Sequence, residues 1–347
     1  MPPGSLRVAI IGFGQAGRVF HAPLVAATRG MVVAHIVTSD PARRAQAARD
    51  HPGARLLASA DELWASPSEV DLVVVAAPNR VHVPLARASL RAGLPVVVDK
   101  PLAPTAAEGR ELVAEAESRG VLLTVFQNRR WDADFLTLRR VVAEGGVGAV
   151  ARLESRFDRW RPAVAAGAWR ERPEPEEAGG LLADLGSHLI DQALVLFGPP
   201  VHVYAELDRR RPGAEVEDDV FVALTHPGGE RSHLWAGMLA AAPAPRFRLV
   251  GDAGTVETYG LDPQEEALQD GVRPDADGWG QVPEDRWGRI WDGTDSQALP
   301  SEAGDYPAFY AAVGDALRAG GPPPVRGAEA VAVLEVIEAA RGVSKEA

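Results

Sequence analysis

The chain has 347 residues, a formal net charge of −12 and no cysteine. The length exceeds one ordinary domain and predicts two. Negative net charge with scattered Lys and Arg argues against a nucleic-acid partner and a basic membrane-binding surface. The lack of cysteine excludes disulfides, thiol catalysis and thiolate metal sites. Apolar runs stay short of the roughly 20 residues of a membrane span, and strand-like sequence from Leu6 leaves no signal-peptide pattern, so we expect a soluble cytoplasmic protein.

A glycine pattern follows the first apolar segment. Residues 6–11 (LRVAII) predict a strand, and the next six residues, GFGQAG, match GxGxxG between a strand and a helix. In that context the first glycine permits the turn, the second lets a pyrophosphate approach the backbone, and the third lets the helix pack closely. The helix N-terminus then faces the phosphates. The residues predicted to bind a dinucleotide here are Gly12, Phe13, Gly14, Gln15, Ala16 and Gly17.

Unbroken apolar strands alternate with helices over the first 127 residues. Such strands are typical of a parallel sheet covered by helices on both faces. We therefore predict a doubly wound α/β Rossmann domain over residues 1–127. The predicted strands are 6–11, 31–37, 72–75, 95–98 and 122–127, and the predicted helices start at Ala42 and cover 81–92 and 106–119.

In such sheets ligands bind at the carboxyl ends of the strands, so the residues after each strand are candidates. After the strand 72–75, two interpretations stay open: contact with the ribose or pyrophosphate, or a turn with a helix N-cap. The residues concerned are Ala77, Pro78, Asn79 and His82.

Asp99, Lys100 and Pro101 follow the strand 95–98, which is the most apolar of the domain. Nothing structural requires a lysine at this position. An ammonium group there points into the crevice where a nicotinamide ring is expected, and it is suited to polarising a substrate oxygen. After the strand 122–127, a polar cluster predicts a wall of the substrate site, with a solvated arginine pair as the alternative for at least one member. The cluster is Asn128, Arg129, Arg130 and Trp131.

The segment 179–198 (GGLLADLGSHLIDQALVLFG) predicts a single, mostly buried helix that ends at Gly198. Asp184, His188 and Asp191 lie at helical spacing on one face of it. A carboxylate one turn from an imidazole orients the ring and raises its basicity, which suits proton transfer. The alternative is a core helix with a hydrogen-bonded buried histidine.

Beyond residue 127 the strands alternate polar and apolar residues and are joined by short turns, which predicts a mainly antiparallel, half-buried sheet. We predict a C-terminal α+β domain over residues 128–347 with one open sheet face, and leave open whether the C-terminal helices pack back on the first domain. The segment 261–299 is expected to be a long irregular loop. The predicted strands are 150–158, 201–208, 218–225, 232–239, 247–250 and 256–259, and the predicted helices are 131–144, 306–319 and 328–341.

The end of the strand 31–37 predicts the cofactor. An NAD enzyme places an acidic residue there, but this position falls on Val37 or Thr38, with Ser39 next. Small hydroxyls leave room for a 2′-phosphate, which Arg43 and Arg44 of the next helix are able to bind. Asp40 before Pro41 reads either as a ribose acid or, more readily, as a helix N-cap. NADP is therefore favoured and NAD remains possible.

Metal binding is not expected. Helical spacing would let Asp184 and His188 share an ion, but the other histidines are scattered along the sequence and form no cluster. Asp191 is interpreted as a helix-packing or supporting partner.

Three motifs together resemble the Gfo/Idh/MocA oxidoreductase family over essentially the whole chain: GxGxxG, Asp99-Lys100-Pro101, and the pattern of Gly179, Gly180, Asp184, Gly186, His188 and Asp191. The family usually has Glu-Lys-Pro, so Asp99 shortens the acidic side chain. Within the family, the chain most resembles the branch of NADP-dependent scyllo-inositol dehydrogenases. The motifs of that branch are Phe20-His21-Ala22-Pro23-Leu24, Asn128-Arg129-Arg130-Trp131-Asp132 with Phe135-Leu136, and Phe157-Asp158-Arg159 with Arg161-Pro162.

The resemblance implies that Lys100, Asp184 and His188 form the catalytic set and that Trp169 and Arg170 belong to the cofactor-side wall. It also implies that the open sheet face makes a homodimer or a dimer of dimers. With these residues, His188 takes the hydroxyl proton, Asp184 orients its ring and Lys100 steadies the negative oxygen. The expected substrate-binding residues are Lys100, Arg129, Trp131, Asp158, Asp184 and His188, and Asp99, Lys100 and Asn128 join the cofactor set.

The sequence therefore predicts a nicotinamide-dependent oxidoreductase that interconverts a hydroxyl and a ketone of a cyclitol or sugar. Two alternatives stay open. One is a reductase of another carbonyl, such as that of an anhydro sugar or a tetrapyrrole. The other is a cofactor-binding regulator that has lost turnover.

Overall fold

The computed structural model describes residues 4–165 and 167–346, with side chains to residue 344. The chain forms two compact units. The first change of unit falls between Asn128 and Arg129, and two later segments return to the first unit. Unit 1 comprises Met1–Asn128, Gln264–Trp279 and Asp305–Val331, and unit 2 comprises Arg129–Pro263, Gly280–Gly304 and Ala332–Ala347.

Unit 1 contains a six-stranded sheet in the order β3-β2-β1-β4-β5-β6, and all of its strand pairs are parallel. The chain reverses its direction of winding between β1 and β4, where open α/β sheets bind their ligands. The predicted Rossmann sheet is confirmed. Its strands are β1 (Leu6–Ile11), β2 (Met31–Val37), β3 (Arg55–Leu57), β4 (Leu72–Val75), β5 (Val96–Asp99) and β6 (Leu123–Phe126).

The central strands are buried because they consist of apolar residues that both layers of helices cover. Ile10, Val73 and Val97 are all 0% exposed. The short β3 and the helix after it were not predicted, because three residues starting with an exposed arginine carry no strand periodicity. The helices are α1 (Ala22–Ala27), α2 (Pro41–Asp50), α3 (Asp61–Trp64), α4 (His82–Arg91) and α5 (Ala106–Arg119).

Unit 2 is built on an eight-stranded sheet in the order β14-β13-β12-β11-β7-β10-β9-β8. Its pairs are antiparallel except for the central pair, in which β7 runs parallel to β10. The mainly antiparallel sheet is confirmed, with this one parallel pair in it. From residue 129 to 258 the elements are α6 (Ala133–Ala143), β7 (Val150–Asp158), α7 (Ser187–Phe197), β8 (His202–Asp208), β9 (Asp219–Thr225), β10 (Arg231–Gly237), β11 (Phe247–Gly251) and β12 (Thr255–Thr258).

The segment 261–299 is not the irregular loop that its composition predicted. It contains a short helix, α8 (Gln264–Gln269), and two strands, β13 (Gly288–Trp291) and β14 (Ser296–Leu299). The strands are four residues each and add to the edge of the sheet through β12. Glycine, proline and aspartate around them hid the alternation, so this prediction was wrong. The chain ends with α9 (Tyr306–Ala319) and α10 (Gly327–Glu346).

Helices cover one face of the unit 2 sheet. Side chains of α6, α7 and α10, among them Phe135, Ile190 and Ile337, pack on the inward residues of the strands in one core. The outward residues of the same strands include an aromatic row in which Phe221 contacts Tyr204, His233 and Trp235. Tyr204 is 48% exposed. A sheet packed on one side and aromatic on the other presents a surface suited to a partner.

By length and composition, one helical segment of the described chain, Pro175–Phe197, could cross a membrane. The sequence prediction of no such run therefore meets one exception. Of its most apolar window, 78% is buried inside the protein, and a buried core helix passes the same test of length and composition.

Candidate active site

The glycine loop has the geometry that a dinucleotide-binding loop requires. Gly12 has φ +100° and no room for a Cβ against the backbone of Ala76. A Cβ on Gly17 would overlap the carbonyl oxygen of Gly12, so this glycine permits the close packing of the following turn. A Cβ on the second glycine, Gly14, would meet no backbone atom, and its nearest neighbour would be Arg43 Nη1 at 3.7 Å, an ordinary van der Waals contact. Space in front of the second glycine is what a pyrophosphate needs.

A groove of about 490 Å³ opens beside this loop, within unit 1. Its walls come from the glycine loop, from α2 and from α8, which the sequence analysis had not placed near the cofactor. Arg18, Gln46 and Gln269 were missed because none of them belongs to a motif. The lining residues are Phe13, Gly14, Gln15, Arg18, Val19, Ala42, Arg43, Gln46 and Gln269.

At the end of β2 the side chain of Asp40 caps α2. Its carboxylate accepts hydrogen bonds from the amides of Ala42 at 2.8 Å and Arg43 at 3.0 Å. The Arg43 amide bond is the main cause of a pKa of Asp40 below its ordinary value. These contacts are those of a helix N-cap, which is the interpretation that the sequence favoured for Asp40. Next to it Ser39 is exposed, whereas Thr38 is only 7% exposed.

The two arginines of α2 have different surroundings. Arg43 lines the groove beside Gly14. The Arg44 guanidinium instead lies 3.4 Å from the carbonyl oxygen of Thr38 and 3.5 Å from that of Leu56. Of the two, Arg43 is the one whose charge faces the groove.

After β4, His82 is 1% exposed and links two strand ends. Its Nδ1 lies 2.8 Å from the carbonyl oxygen of Pro101 and its Nε2 lies 2.9 Å from that of Ala77. Of the other residues after this strand, Asn79 is 8% exposed. The imidazole therefore connects the residues after β4 to the residues after β5.

Lys100 follows β5, and the side chain of Asp99 holds its backbone. The Lys100 amide donates to Asp99 Oδ1 at 2.8 Å. Burial raises the pKa of the Asp99 carboxyl, but three groups that face it outweigh burial and hold the pKa below its ordinary value. These groups are His21, His82 and Lys100.

In unit 2, two glycines shape the start of the helix that carries Asp184. Gly180 has φ +92°, and its side-chain position is filled by the Glu217 carboxylate. Its amide donates to the carbonyl oxygen of Arg170 at 2.9 Å. A Cβ on Gly179 would overlap the carbonyl oxygen of Arg172. Because of this backbone turn, the helix begins after Gly180 and not at Gly179 as predicted.

The helix opens with a π turn, Leu182–Gly186, and continues as α7. Asp184 lies in the π turn and His188 in the first turn of α7. They are 8% and 5% exposed. π turns occur mostly as single insertions in α-helices and often at functional sites. The first turn after the glycine loop, Ala16–His21, is also a π turn.

Arg170 lies beside Asp184 within unit 2: Arg170 Nε is 3.6 Å from Asp184 Oδ2. The turn Trp169–Glu171 that carries it is held by Arg211, which bonds Glu171 Oε2 at 2.9 Å and Asp218 Oδ2 at 2.8 Å. The family resemblance implied that Arg170 belongs to the cofactor-side wall, whereas its contact with Asp184 was not predicted because it depends on the loop conformation.

The arginines of the 128–131 cluster are buried, so the solvated alternative is wrong for both. Arg130 makes a bidentate pair with Asp191, at 2.8 and 2.7 Å. Asp191 thus joins α7 to the turn before α6, as a packing partner. Arg129 is 6% exposed and bonds Asp132 at 3.2 Å.

The Phe157 ring brings Arg129 and His188 to one neighbourhood. The Arg129 guanidinium lies 4.8 Å from the ring centroid, and the His188 ring centroid lies 6.4 Å away. Arg246, which the sequence analysis did not single out, packs between Phe157 and Phe247 at 4.0 Å from each centroid. Arg246 belongs to no sequence motif, so its burial could not be predicted from the sequence.

The remaining predicted residues lie in both units. Asn128 and Trp131 bound a 3₁₀ turn, in which Asn128 is 7% exposed. Asp158 ends β7 opposite Gly237, near Asp219. Burial raises the pKa of Asp158, Arg156 opposes this rise and Asp219 adds to it. Across the described side chains of residues 4–165 and 167–344, His, Asp and Glu form no group of three or more that could hold a metal ion.

Comparison with known proteins agrees with this arrangement. Residues 6–127 match a family model described as "Oxidoreductase family, NAD-binding Rossmann fold", and residues 135–257 match a model of the GFO/IDH/MocA C-terminal domain. The fold and the glycine loop therefore define an oxidoreductase with an NAD(P)-binding domain. The chain belongs to the Gfo/Idh/MocA family.

Relatives cover nearly the whole chain. It is 43% identical to the uncharacterised oxidoreductase YdgJ of Escherichia coli, over 96% of this chain and 95% of that protein. It is 36% identical to IolW of Bacillus subtilis, a scyllo-inositol 2-dehydrogenase (NADP(+)), over 99% and 94%. The solved structure of yvaA from Bacillus subtilis is similar with a TM-score of 0.93 at 35% identity, covering 100% of this chain and 98% of that one.

Proposed function

We propose that the protein is an NADP-dependent dehydrogenase that interconverts a hydroxyl and a ketone of a cyclitol or sugar. The observation that carries this proposal is the placement of Asp184 and His188. An acid and an imidazole are buried one turn apart in a mostly apolar helix, which fits a proton-transfer pair. The name of the relative IolW supports the substrate class and the cofactor.

The groove of unit 1 fits a dinucleotide. At Gly12 and Gly17 a Cβ would overlap backbone atoms of the protein. At Gly14 the missing side chain leaves the space that a pyrophosphate requires. We assign the 2′-phosphate to Arg43, because its guanidinium lines the groove and also lies close to the nearby acid at the end of β2, with Arg43 Nε 3.9 Å from Asp40 Oδ2. Asp40 caps α2 through Oδ1, which keeps its carboxylate at the N-terminus of that helix.

A bound nicotinamide supplies hydride transfer to or from the substrate carbon. In the direction of oxidation, His188 accepts the hydroxyl proton and Asp184 orients the imidazole. Arg170 Nε lies 3.6 Å from Asp184 Oδ2 and so helps to fix the position of this carboxylate. Lys100 stabilises the negative charge on the substrate oxygen. In the direction of reduction, His188 returns the proton.

We assign substrate contacts to Arg129, Trp131 and Asp158, together with the catalytic groups. A polyol offers several hydroxyls, and recognition requires donors and acceptors held in fixed positions. Arg129 is fixed by Asp132 and by its contact with Phe157. Burial raises the pKa of Asp158, and its carboxyl oxygens are able to accept hydrogen bonds from substrate hydroxyls.

We propose that the aromatic face of the unit 2 sheet binds a second copy of the chain, as a homodimer or a dimer of dimers. Tyr204, Phe221 and Trp235 form a contiguous row on it. Exposed aromatic surface of this kind is expected to be covered. Light scattering should show at least a dimer, and a monomer at all concentrations would contradict the assignment. A cytoplasmic location is part of the same proposal.

The proposal is tested by initial rates of NADP reduction with a panel of inositols and sugars. At least one cyclitol or sugar should be oxidised, and Lys100→Met should lower kcat for it. Retained turnover in Lys100→Met would exclude the assigned role of Lys100. Binding of NADP without turnover on any member of the panel, in both directions, would favour the regulator instead.

A further inference from the structure

One buried histidine of unit 1, His21, lies outside the proposed catalytic, substrate-binding and cofactor-binding residues. His21 is the last residue of the π turn that follows the glycine loop, and it is 0% exposed. Its ring packs on Phe126, with 4.5 Å between ring centroids. Burying an imidazole without full hydrogen bonding is unfavourable. The groups that its two ring nitrogens face therefore bear on its role.

The two ring nitrogens of His21 face two different groups. Nδ1 lies 2.6 Å from the Tyr310 hydroxyl, contributed by α9 from 289 positions further along the chain. Nε2 lies 3.9 Å from Asp99 Oδ2 and has no hydrogen-bond partner among the described residues. The carboxylate of Asp99 in turn accepts the Lys100 amide through Oδ1 at 2.8 Å. A series of neighbouring groups therefore runs from the buried Tyr310 and His21 through the half-buried Asp99 to the backbone of Lys100.

The chemistry of Asp99 and Tyr310 determines which nitrogen of the His21 ring carries the proton. A carboxylate only accepts hydrogen bonds, so it favours the tautomer with the proton on Nε2. Nδ1 then accepts from the hydroxyl of Tyr310. Burial and the charge of Asp99 raise the pKa of Tyr310 well above its ordinary value, so the hydroxyl keeps the proton that it donates.

We propose that His21 and Tyr310 are positioning residues for Lys100. His21 faces the Asp99 carboxylate with Nε2 at 3.9 Å and favours its charge and position electrostatically, Asp99 accepts the Lys100 amide, and Tyr310 fixes the His21 ring. The proposal rests on the catalytic role assigned to Lys100. A group that stabilises charge in the transition state loses much of its effect when its position is loosened by about 1 Å. Disturbing the series should therefore change kcat far more than cofactor binding.

Two amide substitutions separate the two ring nitrogens. His21→Gln can place its amide nitrogen near the Nε2 position and keep a donor toward Asp99. His21→Asn can reach only the Nδ1 position and loses that donor. Tyr310→Phe removes the hydroxyl with almost no change of shape. His35→Asn is a matched control, since His35 is also buried in unit 1, at 7% exposed, but faces Glu69.

The first measurement needs no substrate: hydrogen exchange of the Lys100 backbone amide, resolved by fragmentation mass spectrometry. His21→Asn should speed this exchange about three- to tenfold, the equivalent of one hydrogen bond, with β5 unchanged. His21→Gln and His35→Asn should leave it at the wild-type rate, and Tyr310→Phe should raise it by less than His21→Asn. Wild-type exchange in both His21→Asn and Tyr310→Phe would overturn the proposal. If His21→Asn does not fold, Tyr310→Phe decides alone.

The second measurement is steady-state kinetics on the substrate found with the panel. His21→Asn should lower kcat roughly 10- to 100-fold with the NADP dissociation constant within about twofold of wild type. His21→Gln should recover most of the loss. Equal losses in both variants would overturn the positioning role. Faster Lys100 exchange without turnover on any sugar or inositol would support the series and contradict only the proposed function.

Discussion

Each glycine of the GxGxxG motif meets a different atom, and this predicts separate effects of adding a methyl group. Gly17→Ala places a Cβ against the Gly12 carbonyl and should cost about 1 to 3 kcal/mol of stability. Gly14→Ala should unfold at the wild-type temperature but bind NADP roughly tenfold more weakly, because its Cβ enters the space for the pyrophosphate. Thermal unfolding and a fluorescence titration with NADPH measure the two effects.

Gly53→Ala is the control for these variants, since a Cβ there has no neighbour within 4 Å and φ is not positive. Loss of stability in Gly14→Ala with unchanged NADP affinity would contradict the assignment of the open space to the cofactor.

We also expect single residues to decide the choice between NADP and NAD. Arg43→Ala should lower kcat/KM for NADP roughly 10- to 100-fold and leave NAD almost unaffected, because a guanidinium pairs with the 2′-phosphate. Arg49→Ala is the control on the same helix, since it removes the same charge and, among the described residues, Arg49 bonds only Gln46. Ser39→Asp should shift the preference toward NAD, at a position more exposed than Thr38. A wild-type preference for NAD by tenfold or more would refute the assignment.

Residues in local motifs could be predicted from the sequence, and residues placed by distant packing could not. The glycines and the capping role of Asp40 follow from neighbours in the chain. Arg18 and Gln269 reach the groove through folding, and Gln269 comes from a segment more than 200 positions away. The same holds for Tyr310 beside His21. No spacing in the sequence records such contacts.

Strands were predicted where apolar residues form an unbroken run or alternate regularly with polar residues. Strands β1, β2, β4 and β7 have the predicted bounds. Strands β13 and β14 were missed, because each has four residues and is stabilised mainly by pairing along the sheet edge. The π turn at Leu182–Gly186 was also missed. Its apolar spacing is compatible with an ordinary α-helix, and the extra residue per turn shows only in the backbone.

The junction between α7 and the turn before α6 predicts a large stability effect. Asp191→Ala leaves Arg130 buried at 8% exposed without its bidentate partner and should cost about 3 to 5 kcal/mol in urea denaturation. Arg130→Met combined with Asp191→Leu should recover most of the loss, because no unpaired charge remains. A single-variant cost below about 1 kcal/mol would show that the pair does not hold these elements together.

For the whole molecule, stability should fall as the pH is lowered from 7 to 5. Burial lowers the pKa of four histidines in the two units: His35, His51, His226 and His233. Below the unfolded value near 6.5, the unfolded chain binds protons that the folded chain resists. The contribution of these histidines to the free energy of unfolding is therefore complete above a pH of about 6.5 and declines below it. Carboxylates with lowered pKa lose their contribution only below about pH 4.5.

Thermal unfolding between pH 7.5 and 5 measures this dependence. His226→Gln should make it shallower, because its ring is buried between the Gly198 carbonyl and Ser232 Oγ. A melting temperature that is constant or rises on acidification would contradict the account.

The central claim is that this chain transfers hydride between NADP and a cyclitol or sugar with His188 as the proton-transfer group. The most direct measurement is single-turnover reduction of NADP at 340 nm, with wild type and His188→Ala on the best substrate of the panel. We predict rapid reduction by the wild type and a rate roughly 10²- to 10⁴-fold lower in His188→Ala, with NADP affinity nearly unchanged. Equal rates in the two proteins, or no reduction of NADP by any cyclitol or sugar, would contradict the account.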